Sequence, residues 1–91
     1  MAGSPRHLTL TANQVTTVTL NSNYGRIEVL NRDGNFEVFF TTDGTAPGIA
    51  ANGSHILPAA IGSVEVADET DGNSVVKLIS TGAAAVSVRG L

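Results

Sequence analysis

The 91-residue chain contains no cysteine and no tryptophan. Disulfides and thiolate metal sites are therefore excluded, and the large aromatic anchors common in small cores and interfaces are scarce. One tyrosine (Tyr24) and three phenylalanines make up the aromatic content. Lysine and arginine together number five against eight acidic residues, with no basic run. That balance gives no electrostatic footprint for nucleic acid. No apolar stretch approaches the roughly 20 residues needed to cross a bilayer as a helix. Met1–Arg6 lacks the apolar segment of a signal peptide, so synthesis in the cytoplasm without general secretion is expected. A chain this short hides only about 60–65% of its unfolded surface. Oligomerisation is then the expected supplement to a thin core.

What is present points to strands. Threonine and valine number ten each, while lysine and glutamine occur once each. β-branched residues favour a pleated surface, and the straight-chain helix formers are nearly missing. Gly, Asn and Asp punctuate short apolar runs, and period-two alternation gives each run one buried and one open face. Eight runs are expected: 7–11, 15–20, 26–31, 36–42, 54–57, 63–67, 74–80 and 85–89. Leu8 and Leu10 share one face, as do Val18 and Leu20, Ile27 and Val29, Phe36, Val38 and Phe40, Val76 and Leu78, and Val86 and Val88. Ala46–Ala51 contains Pro47 and Gly48 and reads as loop. Asp33-Gly34 between two alternating runs predicts a hairpin over 31–35, and Asp71-Gly72-Asn73 a second turn of the same kind. The expectation is one all-β domain over 7–91, a small antiparallel β-sandwich or jelly-roll-like barrel of about eight short strands. A flexible arm is expected over 1–6.

No catalytic constellation emerges. His7 and His55 read as exposed or edge-strand residues, and neither has zinc-ligand spacing. Asp68-Glu69-Thr70-Asp71-Gly72-Asn73 gathers hard oxygen groups but does not match an EF-hand loop, and reads as a solvated turn. Glycine-rich phosphate loops need a following helix, which is missing. No enzyme, metal or cofactor is expected. The informative feature is surplus apolar side chains. Leu30, Phe39, Val75 and Ile79 oppose the inward faces of their own runs. They either fill the edges of one core, lie under a loop, or form a contact surface for sister copies or a large partner. With Pro5 and Arg6 of the arm, these four form the candidate interface.

The segments Tyr24–Gly34 and Glu37–Pro47, with His55–Ala60, Val75–Ser80 and Val86–Leu91, resemble small virion proteins of tailed phages infecting actinobacteria. Those proteins look like capsid decoration proteins. The resemblance covers most of the chain from Leu8 on. It implies a structural module that binds the major capsid protein and its own copies, as a homotrimer on the outer surface of the virion. The arm, Ala2–Arg6, would order on the capsid or on a neighbouring subunit, with the entropy cost met at assembly. A second, eight-residue similarity competes. Phe40-Thr41-Thr42-Asp43-Gly44-Thr45-Ala46-Pro47 is similar to a turn of immunoglobulin-like modules attached to bacterial glycosidases. There a Tyr stands at the position of Phe40, and Ser-Thr at Thr45-Ala46. That similarity implies a carbohydrate- or protein-binding module of a phage tail, a fibre or a secreted enzyme. A small hydrolase using acidic residues is the third reading.

Overall fold

A computed structural model of the chain describes residues 5–91. Eight strands form among them and no helix: β1 (Arg6–Thr9), β2 (Thr16–Thr19), β3 (Arg26–Asn31), β4 (Val38–Thr41), β5 (His55–Leu57), β6 (Gly62–Ala67), β7 (Val75–Ser80) and β8 (Ala85–Gly90). Two four-stranded antiparallel sheets stack, with orders β1-β8-β3-β6 and β2-β7-β4-β5. Strand 1 beside 8 and 2 beside 7 is the nested order of a jelly roll. It differs from the immunoglobulin arrangement, in which the first two strands share a sheet. The Phe40–Pro47 string is here the end of β4 and its exit turn.

The alternation read from sequence sets the core. Leu10, Ile27, Val29, Val86 and Val88 from the first sheet meet Val18, Leu20, Val38, Phe40, Leu57, Val76 and Leu78 from the second, all buried. Two glycines near the ends of β8 let rings close this core. A Cβ on Gly90 would overlap Tyr24, and one on Gly82 would overlap Phe36. Glycine is required at both positions because a ring occupies the space where a side chain would begin.

Two expectations are corrected. The 31–35 segment is no hairpin: β3 and β4 lie in different sheets, and the turn carries the chain across the sandwich. Gly34 does take a positive φ of 69°. The 71–73 turn likewise crosses, from β6 to β7, with Gly72 at φ 77°. Of the seven connections between these strands, the β4–β5 loop alone stays within one sheet. Asn31 supplies the reason at the first crossing. Its side chain is fully buried, donates to the carbonyls of Phe36 and Pro58 (2.8 and 2.9 Å) and accepts from the Gly34 N–H (3.0 Å). The amide ties the end of β3 to the segments that lead into β4 and out of β5. Arg6, the last residue of the expected 1–6 arm, begins β1. Residues 1–4 of that arm lie outside the described residues.

Candidate functional site

Two surfaces hold residues singled out from sequence, and a third holds residues that were not. On the outer face of the second sheet, Phe39 stands opposite Ile79 of β7 and Ile56 of β5. Phe39 and Ile79 are nevertheless only 4% and 9% exposed. In the loop leaving β4, the Thr41 hydroxyl, outward like Phe39, donates to the Thr45 carbonyl, and Pro47 is buried. Asp43 fixes that loop by accepting from the Thr45 hydroxyl (2.6 Å) and the Thr45 N–H (3.0 Å). These two donors, the hydroxyl foremost, hold the exposed Asp43 carboxyl below the usual carboxylate range. Phe39 and Ile79 are thus largely covered by the chain itself. Val75, on the same face, is half-buried.

On the outer face of the first sheet, the register brings distant residues together. His7 of β1 pairs with Ser87 of β8, and Ser87 with Leu30 of β3. Arg89 of β8 pairs with Glu28 of β3, and Glu28 with Glu65 of β6. Two carboxylates directly opposite each other repel. Each is offset by its own arginine: Arg89 Nε donates to Glu28 Oε1 at 2.8 Å, and Arg26 Nε to Glu65 Oε1. Exposed pairs of this kind contribute about 0–1 kcal/mol each, so their effect is mainly to orient the side chains. His7 Nδ1 and the Ser87 hydroxyl share a hydrogen bond of 2.5 Å. Between these groups lies an open depression of about 220 Å³, lined by Pro5, His7, Glu28, Leu30, Ser87 and Arg89. Pro5 and Leu30 of the candidate interface therefore meet here, while exposed Arg6 does not line the depression.

The third surface was not anticipated. Between Asp43 and Glu65 the chain carries no Asp, Glu, Lys or Arg, a gap of 21 residues comparable to the 19 between Arg6 and Arg26. This stretch forms the β4–β5 loop, β5, the link to β6 and the start of β6. Strands β5 and β6 are edge strands, one in each sheet. Ile49, Ile56 and Ile61 are 40%, 53% and 74% exposed, and Pro58, Ala59 and Ala60 are exposed beside them. What marks this stretch is three open isoleucines on uncharged surface, the composition of a surface that meets another.

No group arrangement suited to catalysis or metal binding was found among the described residues. His55 lies exposed on edge strand β5, its ring 5.2 Å from that of Phe40. The 68–73 cluster is a hydrogen-bonded end of the sandwich. Asp68 accepts from Thr70 N–H and the Ser74 hydroxyl, and Asn23 donates to the Thr70 and Gly72 carbonyls. Among the described residues no three His, Asp or Glu side chains gather as a metal site would need.

Neither a protein family nor a curated protein sequence matches the chain. Among solved structures, the chain is similar to the crystal structure of a protein named PirA. The two are 18% identical with a TM-score of 0.53, over 94% of this chain and 91% of that one. At this identity the likeness concerns the fold alone.

Proposed function

We propose that this chain is a structural, non-enzymatic virion module that decorates the assembled capsid of a tailed phage. It binds major capsid protein subunits on the outer surface and associates with its own copies as a homotrimer. Jelly rolls serve as viral capsid and lectin domains alike, so the architecture is compatible with the reading without selecting it. The observation that carries the reading is the uncharged flank around Ile49, Ile56 and Ile61. Interface cores are depleted in charge, and obligate contacts between copies more so. Covering Ile56 and Ile61 stabilises by about 1–2 kcal/mol each, given the fraction still open to water. For a domain this small, several such contacts are a sizeable share of total stability. The sequence resemblance to decoration proteins supplies the identity of the shell.

The test is cosedimentation of the purified chain with empty phage shells that lack it, together with its own sedimentation velocity. Saturation at a fixed copy number per capsomer is expected, with Ile61→Lys weakening it and leaving the fold intact. A chain that stays monomeric when concentrated and never travels with shells would end the proposal.

A further inference from the structure

We propose that the depression on the outer face of the first sheet is a binding site for a neutral saccharide, one sugar ring at a time. The inference rests on that sheet face alone, independent of shell binding. Its floor comes from three adjacent strands, β1, β8 and β3, so the groups are fixed by backbone register rather than by a mobile loop. Its volume of about 220 Å³ equals roughly seven waters, the scale of one six-membered ring with its hydroxyls.

The charges select the ligand class. Arg89 and Glu28 neutralise each other across the floor, which disfavours both a phosphate and an ammonium group. What remains is directional. Arg89 uses Nε on Glu28 and keeps its two Nη donors, which have no partner among the described residues. Glu28 keeps Oε2 as an acceptor, and His7, with Nδ1 engaged by Ser87, keeps Nε2. A sugar hydroxyl both donates and accepts, so adjacent hydroxyls can bridge a carboxylate oxygen and a guanidinium nitrogen side by side. Leu30 and Pro5 supply apolar surface for the C–H face of the ring. The site combines an apolar floor with a few convergent polar groups, the usual composition of a small-molecule site.

The experiment is a titration of the full ¹⁵N-labelled chain, followed by amide shifts. The probes are methyl glucoside, methyl galactoside, methyl mannoside and N-acetylglucosamine, with sodium sulfate as the anionic comparison. Saturable shifts clustered at Leu30, Ser87 and Arg89 with at least one sugar are expected. Glu28→Gln and Arg89→Lys should each weaken that binding by about tenfold or more, since each disturbs charge-assisted hydrogen bonds. Unchanged thermal melts of the two variants separate lost binding from lost folding. If no sugar perturbs these amides well beyond millimolar concentration, or if sulfate saturates them instead, the proposal is overturned. Binding that survives both substitutions also overturns it, because the ligand would then lie elsewhere.

Discussion

Replacing Asn31 with leucine should destabilise this fold. The side chain is fully buried, and its three hydrogen bonds all reach backbone groups. Leucine has similar bulk but leaves the Phe36 carbonyl and the Gly34 N–H without that partner, while the Pro58 carbonyl keeps its bond from the Ala60 N–H (2.8 Å). Each orphaned buried polar group costs about 1–3 kcal/mol, offset in part by about 1.5–3 kcal/mol from burying an apolar side chain. The net expectation is a loss of about 1–3 kcal/mol, against a total of roughly 5–14 kcal/mol for a domain of this length. With a urea slope of about 1 kcal/mol/M, the midpoint should fall by about 1–3 M. Asn31→Asp adds a diagnostic. The introduced carboxylate still accepts from Gly34 but faces two carbonyls, so burial raises its folded pKa. The penalty is therefore full above the folded pKa, shrinks as pH falls from the folded toward the unfolded value, and is absent below the unfolded one. Urea unfolding of the three proteins at two pH values measures both effects. An Asn31→Leu protein within about 1 kcal/mol of the parent would refute the argument that this amide holds the crossing together.

Three further outcomes follow from the same geometry. Gly90→Ala should destabilise by about 1–3 kcal/mol because the new methyl overlaps Tyr24, and Tyr24→Ala in the same chain should remove much of that added penalty in a double-mutant cycle. Phe39→Ala should cost about 3–5 kcal/mol at every protein concentration, whereas Ile61→Lys should leave unfolding of the single chain within about 0.5 kcal/mol, both read by urea melts. Thr45→Val, which removes the hydroxyl and keeps the N–H, should move the Asp43 carboxyl back up toward the ordinary range, followed by its ¹³C shift against pH. The sign is fixed: a depressed folded pKa means that the contribution of this turn is present above the unfolded value and fades as pH falls through the folded one.

The strands were legible because their signal is local. Alternation placed Ile27 and Val29 inward within the 26–31 run, and β3 occupies that same span. The other seven strands fall on the expected runs, with ends shifted by one or two residues. The destination of each turn was not legible. Asp33-Gly34 specifies a tight reversal with a positive φ, and a hairpin and a crossing both use one. What decides between them is Asn31, whose partners lie at Phe36 and, 27 residues away, at Pro58. The covering of Phe39 was hidden for a related reason. Periodicity reports which way a side chain points, while its burial depends on what the rest of the chain lays over it.

The two candidate surfaces differ in how the chain encodes them. The uncharged flank is written in one continuous segment, 44–64, and what sets it apart is the exposure of Ile49, Ile56 and Ile61, which alternation alone does not reveal. The depression is written nowhere locally. His7 and Ser87 stand 80 residues apart and meet only because the first and last strands pair. In a jelly roll that pairing joins the chain ends, so the depression exists only once β1 has docked on β8. A ligand that touches His7 on β1 and Glu28 on β3 spans β8 and must bind the docked state better than the undocked one. It then stabilises docking by RT ln(1 + [L]/Kd), about 2.7 kcal/mol at a hundredfold excess over Kd. The edge strand β1 is thereby the element through which occupancy of this face and the order of the chain's beginning are coupled. Slowed amide exchange in residues 6–9 on adding the sugar is the measurement that reads that coupling.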